Sequence, residues 1–239
     1  MKTALITGGA ARIGAQIVKT LHHHKFNIII HFNHSQDKAQ LLCDELNAIR
    51  ANSVEIVSAD LNNKNELDSL VNSIQSLDLL VNNASVFYPK SVESSAMKDW
   101  DDVLNINLRA PFFLSKGLSK LLSNNDGSII NIIDIHAERP LKKHAIYNIS
   151  KAGLKMLTQT LAKELAPKIR VNGVSPGSIL WPQDSAEISQ DDKNLMLDKI
   201  ALQRQGSPQD IADTVLFLAN SNYITGQVIN IDGGRTLNQ

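Results

Sequence analysis

Only one cysteine, Cys43, stands in the 239 residues, so no internal disulfide can form and a reducing compartment is expected. Neither sign of charge is in excess: Lys+Arg 24 balance Asp+Glu 24, for zero formal net charge. That balance offers no electrostatic case for nucleic acid or an acidic membrane surface as partner. No apolar run reaches the ~18 residues of a membrane span. The first apolar run is short and breaks at Gly8, too little for a signal peptide. Repeats and low-complexity tracts are missing, and no shift in composition divides the chain. The expectation is a soluble cytoplasmic protein, one domain over residues 1–239, whose 43% hydrophobic content supports a large core.

What is present is a rhythm. Short apolar runs at 4–6, 26–30, 54–57, 77–81, 128–133, 169–174 and 227–231 predict seven strands. Helical spacing lies between them: Ile13, Ile17, Val18 and Leu21; Leu41, Leu42 and Leu46; a long pattern over 100–122; and Leu154, Leu157, Leu161 and Leu165. Continuous apolar strands separated by helices predict an α/β, Rossmann-like, doubly wound domain, a seven-stranded parallel sheet with helices on both faces. One stretch, 175–206, breaks the rhythm. It is polar, contains one short helical pattern near Leu195, and follows the sixth strand. Ligands bind beyond the carboxyl ends of such strands, so residues 178–206 are expected to form a substrate lid.

The first strand runs into Thr7-Gly8-Gly9-Ala10-Ala11-Arg12-Ile13-Gly14. Gly8 suits a tight turn and Gly14 close packing of helix on sheet, and the helix N-terminus then offers free N–H groups to a pyrophosphate. Arg12 adds a cation beside that phosphate. At the end of the second strand an acid usually holds a free ribose 2′-hydroxyl. Here the chain reads His31-Phe32-Asn33-His34-Ser35, with no acid before Asp37. That lack, with Arg12, favours a 2′-phosphate and hence NADPH. Asp60 after the third strand either caps the next turn or accepts a bond from adenine; the residues alone leave both open. His22-His23-His24 point in different directions on a helix, make a poor metal site and are expected at the surface. No metal is expected.

Of three tyrosines, only Tyr147 has a basic residue four positions on, Lys151. On a helix the two share a face, so the ammonium can stabilise a phenolate and let tyrosine trade a proton.

From TGGAARIG through NNAS, YNISK and SPG to the final GQVINIDGG, the chain resembles the short-chain dehydrogenase/reductase family. Within it, the pteridine reductases are the nearest likeness, including bacterial dihydromonapterin and dihydrofolate reductases of short-chain type. Arg12 in the glycine loop, HFNHS, NNASVFYP, IDIHAERPL and PGSILWP carry this. The resemblance implies that His31, Phe32, Asn33, His34 and Ser35 surround the 2′-phosphate end, though pteridine reductases often have arginine where His34 stands. It implies that Gly8, Arg12 and Ile13 meet the phosphates, that Asp60 and Leu61 hold adenine, and that Asn83, Ala84 and Ser85 line the ribose and nicotinamide. It implies likewise that Pro176, Gly177, Ser178 and Ile179 lie along the carboxamide, that Lys151 binds the nicotinamide ribose, and that Asn107 orders the proton relay behind it.

Many reductases of this build carry serine where Asp134 stands. A carboxylate accepts hydrogen bonds and repels a developing oxyanion, so Asp134 argues against a ketone and for a nitrogen-rich heterocycle. The implied reaction is hydride transfer from NADPH to a C=N carbon of a dihydropteridine, with protonation of the ring nitrogen. Phe87 is expected to stack on the pterin. Arg12, Ser85, Leu180 and Trp181 complete the substrate side, and His136 is expected to be structural. Asp134 raises the Tyr147 pKa and Lys151 lowers it; at ~4 Å each charge is worth up to ~4 kcal/mol, so geometry decides. The alternative is a carbonyl reductase acting on a 3-oxoacyl chain or sugar ketone; a non-catalytic NADP(H)-binding regulator is more remote. A homo-oligomer is expected, a tetramer by the resemblance, because the 100–122 helix is apolar on more than one face (Val103, Ile106, Leu108, Phe112, Phe113).

Overall fold

The computed structural model describes residues 1–181 and 189–237. Its elements are β1 (Thr3–Ile6), α1 (Arg12–His23), β2 (Asn27–Phe32), α2 (Gln36–Ile49), β3 (Val54–Ser58), α3 (Lys64–Ser73), β4 (Leu79–Asn82) and α4 (Met97–Leu104). There follow α5 (Ala110–Asn124), β5 (Ser128–Ile132), α6 (Ala145–Glu164), β6 (Arg170–Pro176), α7 (Gln190–Leu197), α8 (Pro208–Asn220) and β7 (Val228–Ile231). The seven strands form one parallel sheet in the order β3-β2-β1-β4-β5-β6-β7. Chain order reverses between β1 and β4, which opens a crevice at their carboxyl ends.

Alternation along each strand explains the unbroken apolar runs. Ala4 and Ile6 pack with Ile17, Val18, Ile28, Ile30, Val215 and Leu218 under α1, α2 and α8. Leu5 faces the other way, with Leu80, Leu114, Leu118, Ile129 and Leu161 under α3, α5 and α6. Both faces are covered, so both sets of side chains must be apolar. No helix among the described residues is long and apolar enough to cross a membrane.

Two expectations need correction. The helix expected over 100–122 is interrupted: Asn105–Arg109 is a π-helical turn between α4 and α5. Pro111 has no N–H to give the Asn107 carbonyl, and the Ala110 N–H reaches back to the Asn105 carbonyl instead. The apolar spacing alone carried no sign of that extra residue. His22 is not a surface residue. It is buried, with Nε2 2.8 Å from the Ser53 hydroxyl, and burial lowers its pKa, helped by Arg50 and Lys25.

Candidate active site at the carboxyl ends of the strands

The glycine turn after β1 is built around Thr7 and Asn83. The Thr7 hydroxyl accepts the N–H groups of Asn83 (2.9 Å) and Ala84 (3.0 Å), and the Asn83 amide donates to the carbonyls of Thr7 (2.8 Å) and Gly8 (3.1 Å). Asn83 therefore ties β4 to the turn with its side chain turned inward. Gly8 has φ +62°, and a Cβ on Gly14 would stand 2.2 Å from the Gly8 carbonyl oxygen. No side chain there is sterically tolerable, so α1 can lie against the turn. The helix starts at Ala11 without a side-chain cap, leaving its first N–H groups to an outside acceptor. Arg12, exposed at φ +53°, occupies backbone space that favours glycine.

His31 does not present its ring to a phosphate, contrary to expectation. The ring is buried; Nδ1 accepts the Gly8 N–H at 3.2 Å, and Nε2 lies 3.0 Å from the Ala59 carbonyl, to which it donates. Burial pushes its pKa down to about 4, only partly opposed by the Ala59 bond. A neutral imidazole thus pins the turn to the end of β3. Phe32 is also core. Asn33 and His34 are exposed and Ser35 is half-buried at the start of α2, which likewise lacks a side-chain cap bond. Lys38, exposed in the first turn of α2, was not singled out in the sequence.

The His31 arrangement has a measurable consequence. The folded pKa lies below the unfolded value of 6.5, so as pH falls below 6.5 the unfolded chain binds a proton that the folded chain refuses until about pH 4. Stability conferred by this site is full above pH 6.5 and declines by about 3 kcal/mol by pH 4. Urea denaturation of His31→Gln across that window is expected to show a correspondingly shallower slope than the parent; an equal slope refutes the assignment.

Asp60 realises its capping alternative: Oδ1 accepts the Asn62 N–H at 2.9 Å. Leu61 is buried in the core, and its side chain faces away from solvent. Asn107 sits in the π-helical turn, buried, with its amide fully used. Oδ1 accepts the Ser85 hydroxyl (3.1 Å) and the Val86 N–H (2.9 Å); Nδ2 donates to the Val86 carbonyl and the Ser150 hydroxyl, both at 3.1 Å. Its side chain fastens the loop after β4 to α6. Ser150 is a partner the sequence reading passed over.

Asp134, Tyr147 and Lys151 come together at the end of β5. Asp134 caps the short 3₁₀ turn Ile135–Ala137, with Oδ1 accepting the His136 N–H at 2.8 Å. Oδ2 accepts the Tyr147 hydroxyl at 2.8 Å. Lys151, buried one helical turn on, donates to the Ile132 carbonyl at 3.0 Å. Burial foremost, then the Asp134 charge and its hydrogen bond, hold the Tyr147 phenol well above its ordinary pKa. Burial lowers Lys151 to about 8 against the opposing pull of Asp134. Geometry therefore decides the contest: the carboxylate touches the hydroxyl, and Tyr147 is a neutral phenol at pH 7. His136 is structural, with Nδ1 2.8 Å from the Arg139 carbonyl.

Phe87 lies in the loop after β4, 50% exposed. His144 stacks on one of its faces at 4.5 Å and 17°, and Tyr147 meets it edge-on at 4.7 Å. Opposite these, Gly177 N–H donates to the Ile231 carbonyl after β6, and a Cβ there would strike Asp232 at 2.7 Å. Pro176 ends β6 and Ile179 is core. Leu180 and Trp181 are partly exposed, and the Lys193 ammonium lies 5.9 Å over the Trp181 ring. The lid expected over 178–206 includes residues 182–188, which lie outside the described residues.

Arg235 was missed. Its guanidinium donates to the Ser178 hydroxyl at 2.7 Å, and burial lowers its pKa, opposed only in part by the charges of Asp134 and Asp232. Nothing local marks it; only the fold returns residue 235 to the end of β6.

A family model described as Enoyl-(Acyl carrier protein) reductase, of the short-chain dehydrogenase type, matches residues 8–236. A 3-oxoacyl-(acyl-carrier-protein) reductase FabG from Staphylococcus epidermidis is 36% identical over 240 residues, covering 98% of each chain. Pteridine reductase 1 of Leishmania tarentolae is 34% identical over 280 residues, covering 98% of this chain and 96% of its own. The crystal structure of FolM alternative dihydrofolate reductase 1 from Brucella canis, complexed with NADP, superposes with a TM-score of 0.88 at 34% identity, covering 100% of this chain and 95% of that one. Matches of this depth over the full sheet and its Tyr147–Lys151 helix make the chain a member of the short-chain dehydrogenase/reductase family.

Proposed function

We propose that this protein is an oxidoreductase that uses NADPH to reduce a dihydropteridine to its tetrahydro form. The observation that carries the reading is the Asp134 carboxylate held at 2.8 Å from the Tyr147 hydroxyl, where a neutral hydroxyl would serve a ketone. Two relatives support it by name, a pteridine reductase and an alternative dihydrofolate reductase solved with NADP.

The residues present fit the dinucleotide. The positive-φ turn at Gly8 brings the chain into α1, and the uncapped starts of α1 and α2 leave backbone N–H groups for phosphate oxygens. Arg12, His34 and Lys38 are the side chains at hand for a 2′-phosphate, with Asn33 and Ser35 beside them. Asp60 and the Leu61 backbone would border adenine, Ala84 and Ser85 the ribose, and Ser178 and the Ile179 backbone the carboxamide. Lys151 would bind the ribose. When bound, the reduced nicotinamide supplies a hydride.

The chain's own residues handle the proton. Asp134 can accept hydrogen bonds from ring N–H or amino groups of a pterin. Tyr147, a phenol that already donates to Asp134, can pass its proton through that carboxylate to a ring nitrogen. Lys151 holds positive charge behind the phenol and stabilises the phenolate left. Phe87, half-exposed and stacked on His144, is the ring that would stack on the pterin. Leu180 and Trp181 begin the lid over 178–206.

A 3-oxoacyl reductase is the second reading, favoured by the 36% identity to FabG. NADPH oxidation measured across dihydropteridines and simple 3-oxoacyl thioesters separates them. Turnover of pteridines is expected; turnover of thioesters alone overturns the proposal.

A homo-oligomer, tetrameric by resemblance, belongs to the same proposal. Phe112 (41% exposed) and Phe113 (43%) on α5, and Met156 (62%) on α6, leave apolar surface that a second copy would cover. Light scattering is expected to give a multiple of the 26.3 kDa chain mass; a monomer at working concentration refutes it.

A further inference from the structure

The later part of the loop between β5 and α6, residues 138–144, forms a rim beside Phe87 that neither hydride nor proton transfer uses. It is fastened at two points. The Asn148 amide exchanges bonds with Leu141, accepting its N–H at 3.2 Å and donating to its carbonyl at 3.0 Å. The Lys90 N–H donates to the Lys143 carbonyl at 2.6 Å, which closes a parallel bridge from Lys90 to His144. His144 in turn stacks on Phe87, and its Nδ1 lies 2.9 Å from the Lys142 carbonyl. The rim thus has a set position relative to the stacking ring.

Its charge is one-sided. Between His136 and His144 the chain carries Arg139, Lys142 and Lys143, all exposed, against the single acid Glu138. Glu138 is taken by Lys155 from α6. Lys90 adds a further cation, though Asp99 stands 3.4 Å from it. Such a concentration in a chain of zero net charge raises the local potential for anions. Lys142 and Lys143 are two and one residues from His144, so their ammonium groups can reach outward from the Phe87 ring by roughly one extended side chain.

We propose that this rim reads the substrate's side chain and favours a pteridine whose tail carries carboxylates over one with a neutral hydroxylated tail. The inference rests on the pteridine reading of the site. It assigns recognition of the ring to Asp134 and Phe87, and of the tail to Lys142 and Lys143.

The test compares KM for dihydrofolate with KM for its bis-amide, which keeps ring and linker and removes the charges. Exposed ion pairs are each worth a fraction of a kcal/mol, so the parent protein is expected to favour the carboxylate form by about three- to tenfold. In Lys142→Gln/Lys143→Gln, or in high salt, that ratio is expected to approach unity. Lys142→Arg/Lys143→Arg should restore it. Lys168→Gln, a control at the opposite end of the sheet where Lys168 pairs with Asp126, should leave the ratio where it was. Equal KM values in the parent, or a ratio untouched by the double substitution, overturns the inference while leaving pteridine reduction intact. Failure of the parent to reduce either compound while it reduces dihydrobiopterin overturns this inference alone; failure on every dihydropteridine overturns the pteridine reading and this inference with it.

Discussion

Tyr147→Phe is expected to lower kcat for pteridine reduction by about 10²- to 10⁴-fold, the usual share of a positioned general acid. The substitution keeps the ring, so the edge-on contact with Phe87 at 4.7 Å and the packing of α6 survive. What disappears is the 2.8 Å bond to Asp134 and the proton it holds. Binding of NADPH, followed by fluorescence, should change little, because the proposed phosphate and adenine contacts lie beyond β1, β2 and β3, across the crevice from Tyr147. A variant that retains its rate would show that the proton reaches the ring through Asp134 from solvent alone. That result would also remove the functional meaning of the raised Tyr147 pKa, leaving burial as its only interest.

The second large effect is expected at Asp134. Asp134→Ser should reduce pteridine turnover by about 10- to 100-fold, on the order of 1.4–2.8 kcal/mol in the barrier. It should also admit a ketone substrate that the parent rejects. Serine is a good capping residue, so the 3₁₀ turn Ile135–Ala137 keeps an acceptor for the His136 N–H. A loss would therefore report lost charge and reach, rather than a collapsed turn. Asp134→Asn refines the point: its amide oxygen can still accept from Tyr147, but the charge is gone. Unchanged pteridine rates in the serine variant would sink the claim that the carboxylate selects the substrate.

Much of the architecture was legible before any coordinates. Seven apolar runs correspond to seven strands, because a parallel sheet covered on both faces needs apolar side chains at successive positions. Leu5 and Ile6 illustrate this: neighbours in sequence, they enter separate core clusters on opposite faces. The π-helical turn was not legible. It arises from Pro111 acting on a hydrogen bond four residues back, and apolar spacing is blind to that. At the site, Asp134, Tyr147 and Lys151 were found because short spacing on β5 and α6 already constrains them. His31 was misjudged for the opposite reason. A histidine after a strand looks like a phosphate contact until the fold shows Gly8 and Ala59 on its two nitrogens. Arg235 and Ser150 escaped because their partners, Ser178 and Asn107, lie 57 and 43 residues away in sequence.

The amino-acid order alone determined the strand-helix alternation, the glycine turn and the pairing of an acid with a Tyr-Lys helix, since each depends on interactions within a few residues. Tertiary structure alone decided which polar groups face the crevice and which are spent holding it together. Asn83, Asn107 and His31 became internal fasteners, while the Asp134 carboxylate was brought against the Tyr147 hydroxyl. The physical reason is that a buried polar group must find its hydrogen-bond partner, and across a parallel sheet that partner comes from a distant strand or helix.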